Sequence, residues 1–182
     1  EAGELAIEPT GEAPVALPAT IPFRVLDPSE ARPHENCIPL YSLKAAAGQF
    51  SGSQEVEPEA WVVPTGRTRP ARGLFVAQVV GESMNRRIPN GAYCVFRAPV
   101  VGSRQGKVVL AQHRDISDPD HGGKYTVKVY ESVKVPDGGG SWRHAEIRLK
   151  PDTDEPGYEP ITVLTVEEGE VEVVAELVDV LG

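Results

Sequence analysis

The stretch KYTVKVYESVKVPDGGGSWRHAEIRLKP, residues 124–151, decides the fold. It holds two alternating segments joined by Pro136-Asp137-Gly138-Gly139-Gly140, which predicts a β-hairpin with a loose connecting loop. In a strand, side chains two apart share a face. Thr126 and Lys128 are therefore expected on one side of the first strand, with Tyr125, Val127 and Val129 on the other. Working outward from this hairpin, the same texture recurs from Val62 onward as short β-branched runs broken by turn residues. These are LFVAQVV, AYCVF, KVVLAQH, AEIRL, ITVLTV and VEVVAELVDVL. The pattern predicts an all-β (mainly β) domain.

Residues 1–36 read differently. Pro9, Pro14, Pro18, Pro22, Pro28 and Pro33 are spaced too closely for a helix or a central strand. The segment is expected to be a linker or extended arm. With 182 residues, 40% of them hydrophobic, the chain can form one core of about 120 to 150 residues plus this tail. A net charge of -9 argues against the segment holding a nucleic-acid duplex by itself, because phosphate binding needs clustered Lys and Arg. Cys37 and Cys94 have neither metal-site nor disulfide-framework spacing, which fits a reducing, cytoplasmic setting. No apolar run approaches the ~18 residues needed to span a bilayer, and the start shows no signal-peptide pattern. No membrane contact, metal or cofactor is expected. A start at Glu1 rather than Met is expected of a piece of something longer.

The chemistry candidates begin at VVGESMNRRIPNG, residues 79–91, where an apolar run ends in a glycine followed by Ser83 and the chain's one methionine, Met84. A serine at such a strand end exposes its hydroxyl beside backbone N–H groups, as acyl transfer requires, although a serine in a turn is also ordinary. Met84 by itself reads as a gap-filling core side chain. Of the histidines that might activate the serine, His34 lies in the arm, His121 in the DPDHGG loop and His144 beside the glycine turn; His113 reads as a solvated strand end. A Ser-His-Asp arrangement is not favoured. The other route is a lysine whose amine is neutral. An ordinary lysine is neutral in about one molecule in 2,500 at pH 7, so its proton affinity must fall by roughly 3 units, as burial among apolar groups can achieve. Lys128 suits the part, alternating with Val127 and Val129 and sharing a face with Thr126. A solvent-facing lysine on an amphipathic strand is the plain reading for Lys124 and Lys134.

GESM at 81–84, IPNGAYCVF at 88–96 and YTVKVY at 125–130 together resemble the LexA and UmuD group of self-cleaving serine peptidases. The resemblance extends upstream through IPLYSLKAAAGQFSGSQEVEPEAWVVP, with an Ala-Gly pair where that group cuts itself, and covers about Ile38 to Leu181. It implies a LexA/signal-peptidase-like β-clip of twisted antiparallel sheets, with residues 37–61 as the cleavage-site region and 62–182 as the catalytic domain. It implies a serine endopeptidase in which Ser83 attacks the carbonyl of Ala47 while neutral Lys128 takes its proton. The oxyanion hole would be the backbone N–H groups of Glu82 and Ser83, with Met84 and Thr126 supporting, and the new amino terminus would be Gly48. The Lys128 position is displaced downstream by the acidic insertion RDISDPDHGGK, where the group has a tighter turn. Homodimers, activation by a RecA filament and a role in an SOS-type stress response are further implications. The alternative is a catalytically silent module on the same fold, serving dimerisation or partner binding.

Overall fold

The computed structural model describes residues 21–52, 55–114, 116, 118, 120, 123–163 and 171–182. Its elements are β1 (Phe23–Val25), β2 (Ile38–Leu40), α1 (Leu43–Phe50), β3 (Ala60–Pro64), β4 (Leu74–Gln78), β5 (Tyr93–Arg97), β6 (Val108–Gln112), β7 (Tyr125–Pro136), β8 (Trp142–Lys150), β9 (Ile161–Val163) and β10 (Glu172–Leu181). The strands form one sheet in the order β1-β3-β2-β4-β5-β10-β6-β7-β8-β9. Every neighbouring pair is antiparallel except β2 with β4. The chain is thus mainly β, as its alternation predicts. No helix among the described residues is long and apolar enough to cross a membrane.

The hairpin forms in the predicted place, Val129 facing Lys150 at its base and Pro136 facing Trp142 at its tip. Asp137 organises the tip: its carboxylate accepts from the Gly139 N–H at 2.8 Å and from the Ser141 hydroxyl. Gly138 and Gly140 take φ of 84° and 88°, where a side chain would be strained. The expected division of faces on β7 also holds. Val127, with Tyr125 and Val129 at its margin, joins the core of Phe75, Phe96, Leu110 and Met84. Thr126 and Lys128 point the other way and are buried too.

The arm expected over residues 1–36 enters the fold earlier than its prolines suggest. Phe23–Val25 pairs with Val62–Pro64. Proline excludes a segment from the sheet interior but leaves edge positions open, and β1 sits at the sheet's edge between Pro22 and Pro28. Residues 1–20, His121 and the LTV end of ITVLTV lie outside the described residues.

The AAAGQF stretch forms most of α1, capped by Ser42, whose Oγ accepts from the Ala45 N–H at 3.1 Å. Leu43 and Ala46 are buried in the main core. Phe50 stacks on Phe75, centroids 4.8 Å apart at 18°, and Phe75 stacks on Phe96 at 5.5 Å. Burying aromatic and aliphatic side chains is worth about 1.5–3 kcal/mol each, enough to hold a helix this short that would be unstable alone.

Candidate active site

Ser83 stands on a turn fixed from three directions. After β4, the Val79 N–H donates to the Ala92 carbonyl at 2.9 Å and the Gly91 N–H donates back to Val79 at 2.8 Å. The Gly81 N–H donates to Asn90 Oδ1 at 2.7 Å. Met84 and Ile88, 1% and 0% exposed, pin the turn into the core, and the Ile88 N–H closes it on the Met84 carbonyl. From the far side, the Ser83 carbonyl accepts from the Asp152 N–H at 2.9 Å, while Asp152 pairs with Arg87 at 2.6 Å. Met84 therefore has the core-filling place its type suggests and also holds the serine in position.

Gly81 has φ of 97°, and a Cβ there would overlap the Asp120 carboxylate. Gly81→Ala is expected to cost about 1–3 kcal/mol from the backbone conformation alone and to push Asp120 off the turn. A lower urea midpoint with slower chemistry at Ser83 checks this; an unchanged midpoint would mean that the turn relaxes.

Lys128 reaches the serine from β7. Its Nζ lies 3.0 Å from Ser83 Oγ, and the two residues, 45 apart in sequence, are each 4% exposed. Nζ is also 2.8 Å from Thr126 Oγ1 and 3.2 Å from the Val127 carbonyl. The apolar surroundings expected for this amine are not what it has. Asp118, 2% exposed, brings Oδ2 to 3.1 Å from Nζ and accepts from the Thr126 hydroxyl. Asp118 belongs to the acidic insertion, which thus supplies a carboxylate to the site besides lengthening the chain between Ser83 and Lys128. Its charge is felt next door: burial first, and then Asp118, push the Tyr125 phenol up.

The Tyr158 hydroxyl, near the Glu82 backbone, donates to Asp120 Oδ1 at 3.0 Å. Burial, then the bond and charge of Asp120, push the Tyr158 phenol up; the Glu82 N–H works against them. Ala47 and Gly48 lie within α1. Ala47 is 3% exposed, and its carbonyl accepts from the Ser51 N–H at 3.2 Å. A peptide so held cannot present its carbonyl to a nucleophile.

His34 packs edge-on to Trp61, centroids 5.5 Å apart. His113 is 6% exposed rather than solvated, its N–H donating to the Lys124 carbonyl at 2.9 Å. The side chain of His144 and all of His121 are outside the described residues. Burial, with help from Asp179, pushes the Cys94 thiol up to about 12, and burial raises Cys37 also, so neither is a ready nucleophile. Sequence reading missed Asp118, Asp120 and Tyr158; the one available signal was the acidic character of the insertion.

A comparison with curated proteins finds no match to this chain. The family model described as Peptidase S24-like, that of the LexA/UmuD-type self-cleaving serine peptidases, matches residues 39–178 and so spans the turn, the strand and the helix just described, and the chain belongs to that family.

Proposed function

We propose that this serine peptidase cuts its own chain at Ala47–Gly48 through a Ser83–Lys128 dyad, as a regulatory processing step in a stress or SOS-type response. The observation that carries the reading is the 3.0 Å approach of Lys128 Nζ to Ser83 Oγ with both groups buried. A base must lie within hydrogen-bond reach of the proton that it removes. Neutral Lys128 takes the hydroxyl proton as Oγ bonds to the Ala47 carbonyl carbon, and the resulting oxyanion is held by backbone N–H groups at the turn. The C–N bond then breaks, the Gly48 nitrogen takes the proton from Lys128, and an ester links Ala47 to Ser83. Water, deprotonated by the same amine, hydrolyses the ester and restores the serine. Because the substrate is tethered, effective molarities up to about 10⁵–10⁸ M allow a modest dyad to suffice.

The reaction needs α1 to unwind first. A groove lined by Leu40, Tyr41, Leu43, Gln78, Tyr93 and Tyr125 lies beside the start of the helix, and would give an unwound segment a place to lie. The helical form is then the uncut resting state, and control lies in the population of the opened one. Removing the cap by Ser42→Ala costs a helix about 1 kcal/mol, and the opened population and cleavage rate are expected to rise about 5-fold. A rate that falls instead would mean that Ser42 is needed for docking.

As partners we propose a second copy, through the C-terminal strand, and a RecA-filament-type activator. β10 supports the first: it pairs with β6 over Glu172–Glu176 and with β5 over Glu176–Leu181. Among the described residues each half thus has one ladder partner. The buried, helical state of Ala47–Gly48 equally favours a second reading, the silent dimerisation or partner-binding module. Incubation at about pH 10, where roughly a quarter to a third of an ordinary lysine is neutral, followed by mass spectrometry, separates the two. Fragments 1–47 and 48–182, absent from Ser83→Ala, support cutting, and an unchanged mass supports the silent module.

A further inference from the structure

Lys128 Nζ is surrounded by oxygens. An ammonium carries three N–H donors and no lone pair, whereas a neutral amine carries two donors and one lone pair. Asp118 Oδ2 at 3.1 Å and the Val127 carbonyl at 3.2 Å can only accept from it. Thr126 Oγ1, at 2.8 Å, gives its own hydrogen to Asp118, so toward Nζ it also accepts. Ser83 Oγ, at 3.0 Å, accepts from Nζ as well, so four oxygens share three N–H bonds and no lone pair is left to take the Ser83 proton. The geometry is that of an ammonium paired with a carboxylate, each at most 4% exposed, where the low local dielectric strengthens their attraction.

We propose that Asp118 holds the proton on Lys128 in the uncut chain and thereby sets the pH at which the dyad becomes active. The proposal rests on the Ser83–Lys128 reading and deepens it. Asp118 is a positioning residue that acts through Lys128; the activating step is loss of one proton from the amine to solvent, with no bond to carbon changed. A negative charge beside an amine favours its charged form. Catalysis is best when the base's proton affinity matches the working pH, so the pairing slows the reaction near neutrality and favours it in alkali. Other titratable groups crowd the site: Glu82 on the turn, Asp120, Tyr125 on β7, Asp152 and Tyr158 after β8, and His113 at the end of β6. Among the described residues Asp118 is the one acid bonded to Nζ.

The test compares the full chain with Asp118→Asn, which keeps the shape and loses the charge, and with Asp118→Glu, which restores a carboxylate. Self-cleavage rates are followed by mass spectrometry from about pH 6 to 11, and the charge state of Lys128 by NMR of ¹³Cε-labelled lysine. In Asp118→Asn the rise of rate with pH is expected to move down by about 1–3 units, the span an opposite charge at this range produces. Cleavage at pH 7 then quickens by about 10-fold or more, the alkaline plateau drops, and Lys128 loses its charge over the same lowered range. Asp118→Glu keeps the original profile. A profile of unchanged position that only scales down makes Asp118 a structural brace and overturns the proposal. If the unaltered chain cuts at no pH, the dyad reading fails, yet the NMR still decides: a lowered range in Asp118→Asn upholds the proton-holding role and an unmoved one overturns it. Should Asp118→Asn not fold, Asp118→Ser takes its place in the same NMR titration, and Lys128 found neutral at pH 7 in the unaltered chain overturns the proposal outright.

Discussion

Lys128→Ala is expected to lose both cleavage and stability, whereas Ser83→Ala loses cleavage alone. Members of a nucleophile–base pair act as a unit, so either substitution should lower the self-cleavage rate by roughly 10⁴-fold or more. Stability separates them. Without the amine, Asp118, 2% exposed, loses its ion pair with Nζ. Removing one partner of a buried ion pair costs about 3–5 kcal/mol because the other charge stays behind. Without the serine hydroxyl, Nζ still has Asp118, Thr126 and the Val127 carbonyl, and the loss should stay near the ~1 kcal/mol of one hydrogen bond. Urea unfolding of the two variants, with the double variant Asp118→Asn/Lys128→Ala recovering most of the loss, checks the account. If Lys128→Ala unfolds at the same midpoint as the unaltered chain, water reaches Asp118 and the pair is not the closed one described.

What the sequence discloses follows from the range over which its signals act. Alternation over twelve residues of β7 is a local pattern with a period of two, so it fixes both the strand and the shared face of Thr126 and Lys128. The motif order points to Ser83 and Lys128, which lie 3.0 Å apart although distant in the chain. Helix α1 is harder to read because its eight residues are mostly small; its signal was Leu43, Ala46 and Phe50 at helical spacing behind a capping Ser42. β1 hides among prolines that an edge position tolerates. Asp118 leaves no periodic trace, since nothing local makes an acidic insertion fold back onto a lysine ten residues later. The omission is chemically large, because a carboxylate beside the amine reverses the electrostatic setting that apolar neighbours alone would give.

Phe50→Ala is expected to speed self-cleavage by about 10-fold or more while lowering overall stability only modestly. The side chain is the last hold of α1 on the sheet: its ring stacks on Phe75 at 4.8 Å and meets Tyr41 edge-on at 5.9 Å. Truncating a fully buried phenylalanine costs about 3–5 kcal/mol; Phe50 is half-buried, and a loss of about 2 kcal/mol corresponds to some 30-fold in the opened population. Phe75 keeps Phe96 as a stacking partner, so the damage should be confined to the helix. Limited proteolysis should then find sites within residues 43–52 exposed sooner, in step with the rise in cleavage rate. The two readouts matter together, because Phe50 lies just beyond the scissile bond and would also travel into the cleft with the opened segment. Faster proteolysis with slower self-cleavage would show that the ring is needed for docking at Ser83. Faster proteolysis with unchanged self-cleavage would put the slow step after unwinding, at the proton held on Lys128.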